Sequence, residues 1–377
     1  MKIENLWFEW LVWLGAPLTG SAGRQYRLMI AMRLTGVCFL TGLQLLAAAP
    51  YPPSQVITSL KWDESVFKLK TRAGDNWPIT WAKADLQITA WGDGPGFDEQ
   101  PPRLSLGFAH VWGDPPNLRA EDFASDADTL QGGGSQAIKA SGLLLVDDIL
   151  YLWVRNYRPT PSADFTHSRL AWSKNRGTNW TWADWHFART FGCPEFVQYG
   201  PNYAGARDGY VYVVSQANDS AYGYSPDIVM ARVPKNQVAD RDHYEFFAGF
   251  DASNQPRWLK DLEQRKPVFT DPNGTQRVAV TYNCGLKRYL LTTSHREPGS
   301  EAMHTAALGV FEAPEPWGPW ATIYYDSHWS GTNRTYHHKF PTKWMSPDGR
   351  TIWLLYSGLD GGLYTFCLKK ATLELAR

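Results

Sequence analysis

The chain has 377 residues, of which 44% are hydrophobic and 20% are charged, so it can form a globular core. Lysine plus arginine and aspartate plus glutamate both number 37, and this zero net charge predicts no nucleic-acid partner. The 19 Trp, 18 Tyr and 17 Phe residues are unusually numerous. Aromatic rings stack on sugar rings but also fill protein cores, so the count alone leaves both uses open.

The first recognisable element is a signal-like segment at residues 32–49, with a basic start, an apolar middle and small residues at its end. Its apolar part is interrupted by Gly and Thr, whereas a membrane span needs about 20 apolar residues. We therefore predict cleavage near Ala49, no stable membrane insertion afterwards, and a secreted or periplasmic protein. Signal peptides begin close to their initiator, which favours Met29 or Met32 as the true start. A short N-terminal helix is the alternative.

The cysteines do not form a recognisable framework. Cys38 lies in the signal segment, which leaves Cys193, Cys284 and Cys367. An odd number at scattered spacing is typical of neither a disulfide scaffold nor a zinc site. A Cys193–Cys284 disulfide is one interpretation, and buried thiols are the favoured one. We predict no metal and no cofactor.

The remaining residues, 50–377, are predicted to form one all-β domain, because short β-rich runs are separated by Gly, Pro, Asp and Asn. Five segments share a turn followed by an apolar or aromatic strand, at intervals of roughly 60 to 80 residues. This period suits one four-stranded blade per repeat, and predicts a monomeric five-bladed β-propeller. A pair of β-sandwiches is the alternative. The five segments are Lys83–Trp91, Val146–Val154, Ala206–Val214, Gly285–Thr293 and Pro347–Leu355.

A second sign of a propeller is the segment Ser173–Trp180, which resembles the Asp-box of sialidase-type propellers, Ser-x-Asp-x-Gly-x-x-Trp. Asn175 replaces the aspartate of that pattern. Because an Asp-box folds a hairpin between outer strands of a blade, the segment is predicted to be structural.

Two aspartates in the first repeat are the leading catalytic candidates. Asp75 and Asp93 each lie nine residues from the turn near residue 84, so a regular hairpin would bring them to the same end. Two carboxylates beside a central pit suit glycoside hydrolysis, in which one protonates the leaving oxygen and the other activates water or attacks the anomeric carbon. The alternative is that Asp75 caps a turn and Asp93 belongs to a loop turn.

Other polar and aromatic residues are placed at the same mouth by their position beside the predicted innermost strands. Lys139 and Asn156 flank the turn of the second repeat, Asp219 supplies a third carboxylate, and Arg207 lies on a tight turn that favours a structural role. His337 and its neighbour lack metal-ligand spacing and are interpreted as a loop feature. The predicted substrate-binding residues are Trp77, Lys139, Asn156, Asn202, Arg207, Asp219, Tyr282, Asn283 and Lys343.

Seven motifs resemble the bacterial proteins grouped as domain of unknown function family 4185, and the likeness covers about residues 60–375. The motifs are Asp75–Ala82, Ala90–Gly94, Phe191–Pro194, Asn202–Asp208, Tyr244–Gly249, Ala313–Trp320 and Phe340–Met345.

This resemblance implies a five-bladed propeller like those of furanosidases, and some relatives are endo-D-arabinanases of glycoside hydrolase family 183. The two first-blade aspartates of the family correspond by motif to Asp75 and Asp93. The chain departs from the pattern at Glu195, where a small hydroxylated residue is common, and at Cys284, where Ala is expected. These differences concern substrate choice more than fold.

The leading functional hypothesis is a secreted glycoside hydrolase that acts on a furanose-containing polysaccharide or oligosaccharide. One alternative is a non-catalytic carbohydrate-binding propeller, which would need no carboxylate pair. Another is a polysaccharide lyase, in which Lys139, Lys343 and tyrosines at the mouth would neutralise and deprotonate a uronate.

Overall fold

The computed structural model describes residues 48–69, 74–98, 102–132, 134–296, 306–331, 334–360 and 363–377. The predicted signal segment falls almost wholly on residues 1–47, outside the described residues. The described part of the chain is built from 22 strands and five short 3-10 helices, which confirms the all-β prediction. Among these residues, no helix has the length and apolar character of a membrane span.

The strands of the N-terminal half form two antiparallel sets, preceded by β1 (Ile57–Lys68). The first set contains β2 (Ile79–Lys83), β3 (Leu86–Trp91), β4 (Leu104–Asp114), β5 (Asn117–Phe123) and the short β6 (Thr129–Leu130), which pairs with β4. The 3-10 helix Gly134–Gln136 leads to the second set: β7 (Lys139–Val146), β8 (Ile149–Tyr157), β9 (His167–Ser173) and β10 (Thr181–Phe187).

The third and fourth sets are joined into one nine-stranded sheet by the pairing of β13 with β16. The third set contains β11 (Glu195–Phe196), β12 (Tyr210–Gln216), β13 (Ser225–Pro234), β14 (Glu245–Phe250) and β15 (Pro256–Leu259), with 3-10 helices Pro201–Tyr203, Arg241–His243 and Leu262–Gln264. The fourth contains β16 (Phe269–Asn283), β17 (Arg288–Ser294), β18 (Leu308–Ala313) and β19 (Ala321–Asp326).

The fifth set combines the two ends of the described chain. It contains β20 (Tyr336–Lys339), the 3-10 helix Thr342–Trp344, β21 (Thr351–Asp360) and β22 (Leu363–Leu375). β1 pairs antiparallel with β22, from Ile57 opposite Leu375 to Lys68 opposite Cys367. The β1–β22 pairing is therefore a long-range contact that closes almost the whole described chain, whereas β20, β21 and β22 pair locally.

Each set has two ends, which we name from the β2–β3 hairpin. The closed end is the side of its turn, where Lys83 pairs with Leu86, and the open end is the side where Asp75 bridges Gly92. Two other predicted turns also join the first two strands of their sets, at residues 147–148 and 284–287. In the third and fifth sets a 3-10 helix separates the first strand from the turn.

Many of the aromatic side chains lie in the core, where they pack within and between the antiparallel sets. Trp77 packs against Phe97 and Phe366, each with ring centroids 5.1 Å apart, while Trp153 packs against Phe187 at 5.3 Å. Stacked or edge-on ring pairs stabilise such contacts beyond the burial of apolar area. The high aromatic content therefore serves packing first.

The Asp-box-like segment forms a structural hairpin, as predicted. Asn175 Oδ1 accepts hydrogen bonds from Ser173 Oγ at 2.8 Å and from the Asn179 backbone at 2.9 Å. Trp180 Nε1 donates to the Gly177 carbonyl at 2.9 Å. The asparagine thus keeps the acceptor role of the aspartate that it replaces.

The proposed Cys193–Cys284 disulfide is wrong, because both cysteines are free. Cys193 follows the second set and is buried, while Cys284 lies exposed at the closed end of β16 and β17. The buried-thiol interpretation is confirmed for Cys193 and Cys367 and wrong for Cys284.

Candidate functional site

The Asp75 carboxyl is fixed at the open end by the start of the β2–β3 hairpin. The Asp75 amide donates to the Gly92 carbonyl at 2.8 Å, and the Gly92 amide donates back to the Asp75 carbonyl at 3.1 Å. A Cβ atom at position 92 would lie 2.9 Å from the Ser105 carbonyl and 3.1 Å from Asp75 Oδ1. Glycine at 92 therefore leaves the space that the carboxyl occupies.

The environment of Asp75 favours a protonated carboxyl. Asp75 is buried, and its Oδ2 accepts a 2.6 Å hydrogen bond from Tyr336 Oη while its Oδ1 accepts from Asn76 Nδ2 at 2.5 Å. Burial, followed by the negative charge of Asp93, raises the pKa of Asp75, and the charges of Arg155 and Lys139 and the hydrogen bond from Tyr336 oppose that rise.

Asp93 lies at the same open end in a different environment. Its side chain is 20% exposed, and the Lys139 ammonium, whose side chain is only 2% exposed, donates to Asp93 Oδ1. The Arg103 guanidinium donates to the Asp93 carbonyl at 2.9 Å. The predicted meeting of Asp75 and Asp93 at one end is confirmed, while their chemical roles remain a prediction.

A buried ionisable cluster beside this pair was missed from the sequence. Glu195 Oε2 accepts hydrogen bonds from His337 Nε2 and Lys339 Nζ, both at 3.1 Å. Burial raises the pKa of Glu195 and lowers the pKa values of Lys339 and His337. The attraction between Glu195 and Lys339 opposes the pKa changes of these two groups. His337 and His338 lie in β20 and are fully buried, so their interpretation as a loop feature is wrong.

Two buried arginines complete the polar interior of the open end. Arg155 Nη1 donates to the Ala140 carbonyl, and the Arg277 guanidinium lies 5.1 Å from the centroid of the Tyr222 ring. Arg277 Nη1 also contacts Cys193 Sγ at 3.3 Å. One feature of the sequence could have indicated these two residues, namely an arginine within an apolar β-strand segment. A charged side chain is rarely buried there without a function or a partner.

Several buried polar atoms at the open end have no hydrogen-bond partner among the residues that the structure describes. Buried polar groups are otherwise almost always hydrogen-bonded, so these atoms are available to a polar ligand or to water. They are Asn76 Oδ1, Arg155 Nε, Asn156 Oδ1, Gln276 Oε1, Arg277 Nε and His337 Nδ1.

Positive backbone φ values occur at the open end, as they also do in the closed-end turns at Ala84, Asp147 and Lys287. Non-glycine residues with positive φ are uncommon, and those held in this region by their surroundings often belong to functional sites. At the open end they include Asn76 (φ 73°), Asp93 (55°), Asn156 (59°), Arg277 (55°) and His337 (56°).

Lys139, Asn156 and Asp219 also lie at the open end, as predicted. Asn156 Nδ2 donates to Tyr222 Oη at 3.1 Å and to the Ala137 carbonyl at 3.2 Å. Asp219 Oδ1 accepts a 2.7 Å hydrogen bond from the Thr190 amide, which ties two open-end loops together.

Five predicted site residues lie at the closed end instead. The predicted placement beside Asp75 is wrong for four of them, whereas Arg207 lies on a turn and forms ion pairs, as its structural interpretation predicted. Lys343 pairs with Asp85 at 2.9 Å, and Arg207 pairs with Glu315 at 2.9 Å. The others are Asn202, whose Oδ1 accepts from the Asp148 amide at 2.9 Å; Asn283, whose Nδ2 donates to the Gly349 carbonyl at 2.8 Å; and Tyr282, whose ring lies 5.5 Å from that of Tyr199.

These residues lie at the closed end because one strand is longer than predicted and two others are followed by a 3-10 helix. β16 has 15 residues, so Tyr282 and Asn283 are its last residues rather than its first. Asn202 belongs to a 3-10 helix after β11, and Lys343 belongs to one after β20. Each of these segments follows its strand to the closed end.

Trp77 was predicted to bind substrate, but the structure buries it completely between the first and fifth sets. A fully buried ring cannot stack on a sugar. We expect Trp77→Ala to lower the free energy of unfolding by about 3–5 kcal/mol, as for other large aromatic truncations in cores. Trp77→Phe should cost less, since Trp77 Nε1 has no hydrogen-bond partner to lose. Urea denaturation of both variants checks this, and unchanged stability in Trp77→Ala would contradict the packing role.

The raised pKa of Asp75 predicts a pH-dependent stability effect. Folded Asp75 keeps a proton at pH values where the unfolded carboxyl, with its ordinary pKa of 3.8, has lost it. The folded state then binds more protons, so this group's contribution to stability falls as pH rises from about 3.8 through the folded pKa. Asp75→Asn removes this loss, and its stability relative to the parent should improve between pH 3.5 and pH 6 in urea denaturation.

Asp348→Asn is the matched control, because hydrogen bonds from Ser346 and the Arg350 amide lower the pKa of Asp348. Its contribution to stability is present above the unfolded pKa and lost as pH falls through the folded pKa. The Asp348→Asn variant should therefore be relatively less stable at pH 6 than at pH 3.5. A pH-independent difference for Asp75→Asn would overturn the assignment of a raised pKa.

Comparison with known proteins gives one family and several similar folds. A crystal structure from Bacteroides ovatus ATCC 8483, with a provisional hydrolase assignment, is 11% identical with a TM-score of 0.51, over 83% of this chain and 93% of that one. An exo-beta-1,3-galactanase from Phanerochaete chrysosporium is 10% identical, with a TM-score of 0.44 over 82% of this chain and 66% of that one. Trypanosoma rangeli sialidase is 8% identical, with a TM-score of 0.44 over 86% and 60%. No curated protein matches the chain.

The family match extends over residues 120–356, a narrower range than the predicted 60–375. It includes Lys139, Asn156 and Glu195, whereas Asp75 and Asp93 precede it. Because the matched residues make up more than half of the sequence, the chain belongs to the family described as Domain of unknown function (DUF4185).

Proposed function

We propose that this protein is a secreted glycoside hydrolase that cleaves a furanose-containing polysaccharide, in the manner of an endo-D-arabinanase. The observation that carries the proposal is the contrast between two neighbouring carboxyl groups at the open end. Asp75 is buried with a raised pKa, and Asp93 is partly exposed and ion-paired with Lys139. Paired carboxyls in contrasting environments are the usual arrangement for acid and base roles in glycoside hydrolysis.

In this mechanism Asp75 is the general acid. Its proton passes to the glycosidic oxygen as the bond between that oxygen and the anomeric carbon breaks. Asp93 either accepts a proton from the attacking water or bonds to the anomeric carbon itself, after which water completes the hydrolysis. Tyr336 holds the Asp75 carboxyl in place through its 2.6 Å hydrogen bond. Lys139 orients Asp93 in the same way.

The proposal includes a closed five-bladed propeller, in which each antiparallel set is one blade. It is supported by side-chain contacts that run around the open end from each set to the next and back to the first. The contacts are Asp93 with Lys139, Asn156 with Tyr222, Tyr222 with Gln276, Thr292 with His338, and Tyr336 with Asp75. A ring of this kind surrounds a central pit, and the carboxyl pair would lie at its rim.

The substrate would be held by polar groups that are partly exposed at the open end, such as the Asp93 carboxylate, whose side chain is 20% exposed. Sugar hydroxyls both donate and accept, so they can pair with such a group. The buried Asn156 and Arg277 would support this surface from within. The remaining closed-end candidates, among them Asn202 and Lys343, take no part in this scheme because they already bond to neighbouring sets.

The central test replaces each carboxyl by its amide. General acid–base catalysis contributes about 10²–10⁴-fold, so Asp75→Asn and Asp93→Asn should each lower the hydrolysis rate on a panel of arabinans by at least about 100-fold. Asp147→Asn is the control, because Asp147 is a 56% exposed carboxylate at the closed end. Rates are measured as reducing-end release, with melting temperatures taken in parallel to show that the variants fold.

The outcomes separate the competing functions. Near-normal turnover in both aspartate variants would remove the pair from the mechanism. Release accompanied by absorbance of an unsaturated product would indicate a lyase, and binding of oligosaccharides without any release would indicate a carbohydrate-binding protein.

Secretion forms a separate part of the proposal and is supported by the basic, apolar and small-residue order of residues 32–49. Mass spectrometry of the protein recovered from culture medium or periplasm should find an N-terminus near Pro50. Recovery of a mature protein that still carries residues 32–49 would contradict cleavage at this point.

A further inference from the structure

A cavity of about 470 Å³ adjoins the open end beside the second set. Its wall includes Ile138 and Asn156. Ile138 directly precedes Lys139, the partner of Asp93, and Asn156 directly follows the buried Arg155. The cavity therefore borders the two segments that carry Lys139 and Arg155.

The chemistry of the wall is aromatic and cationic. Three rings contribute, those of Tyr157, Phe165 and Trp182, together with the guanidinium groups of Arg158 and Arg169. The Arg158 guanidinium carbon lies 5.0 Å from the Phe165 ring centroid, and that of Arg169 lies 4.9 Å from Tyr157. Planar guanidinium groups stacked on rings are held in fixed orientations, which suits recognition of an anion.

Neither arginine is neutralised. In the described part of the chain, neither guanidinium forms an ion pair with a carboxylate, and the residues lining the cavity include no Asp or Glu. Arg158 donates from Nε to the Thr160 carbonyl at 3.1 Å, and Arg169 donates from Nε to the Ala183 carbonyl at 2.7 Å. Both side chains therefore keep nitrogen donors for a ligand.

Asn156 connects the cavity to the pit. It is 2% exposed, and its Oδ1 has no partner in the described part of the chain. Its Nδ2 donates to Tyr222 Oη, and the Tyr222 ring faces the Arg277 guanidinium. A ligand that contacts Asn156 from the cavity thus reaches the side chains that surround the carboxyl pair.

We propose that this cavity is a subsite for an anionic substituent on the saccharide chain, bound by Arg158 and Arg169 while the adjoining neutral sugar occupies the pit. The inference rests on the proposed function for the identity of the pit and deepens it by naming the charge of the substrate. The shared chemistry is an oxyanion on a sugar ring. A uronate carboxylate and a sulfate ester are its two sources.

The test measures binding rather than cleavage. A trisaccharide with one terminal uronate, a trisaccharide with one sulfate ester, and their uncharged counterparts are titrated calorimetrically into the Asp75→Asn protein. Hydrogen bonds between charged groups are stronger than those between neutral groups, so at least one anionic probe should bind at least about tenfold more tightly than its neutral counterpart. This difference in affinity should decrease at high salt. Below about pH 4 the uronate probe protonates and loses this advantage while the sulfated probe keeps it, which distinguishes the sources.

Arg158→Gln in the same background should abolish the preference for the anionic probe. Arg158 is exposed and bonds only to the Thr160 carbonyl among side-chain hydrogen bonds, so the fold should survive. Arg158→Lys should restore part of the preference, because it keeps the charge without the planar fork. Arg189→Gln, at a 65% exposed side chain paired with Glu263, is the matched control and should leave the preference intact.

Equal affinity for anionic and neutral probes, or a preference that survives Arg158→Gln, would overturn the subsite. These outcomes are independent of the proposed function. If the parent protein fails to cleave arabinans but binds the anionic probe through Arg158, the subsite stands and the hydrolase proposal fails.

Discussion

The hydrogen bond from Tyr336 to Asp75 is the contact on which both the fold and the candidate site depend. It joins the fifth antiparallel set to the first, across residues 261 positions apart in sequence, and it fixes the carboxyl whose protonation the proposed chemistry needs. Burial raises the pKa of Asp75, while the hydrogen bond that Tyr336 donates favours the ionised carboxylate and opposes that rise. Tyr336 and Asn76 each donate to one oxygen of the carboxyl, so assembly of the first and fifth sets also fixes its position.

The two ends of the sets use their polar residues differently. At the closed end, side chains such as Lys343, Arg207 and Asn283 bond to a neighbouring set and hold the sets together. At the open end, comparable side chains leave atoms without partners, for example Arg277 Nε and Asn156 Oδ1, and several backbones there are held at positive φ. Unsatisfied buried polar groups lower stability, and their presence at the open end is expected of a binding site.

The features that could be predicted from the sequence are those that depend on the spacing of residues within one hairpin. The β2–β3 hairpin is short and its turn is tight, so equal distances from residue 84 placed Asp75 and Asp93 together. Asn202 and Lys343 were misplaced because no local pattern distinguishes a 3-10 extension from the start of a strand. The contact between Glu195 and His337 spans 142 positions in sequence, and without the topology no feature of either residue indicates the other.

That contact also limits how a substrate can enter. Glu195 belongs to the third set and Lys339 to the fifth, which do not adjoin in the proposed ring, so their hydrogen bond crosses its interior. Removing one member of a buried ion pair typically costs 3–5 kcal/mol, because the other charge is left without a partner. Displacing this pair would therefore be unfavourable. Under the proposed function, a saccharide chain would lie across the open end, where Asp75 and Asp93 are found, rather than pass through the centre, and the arginine-lined cavity would extend the surface available to it.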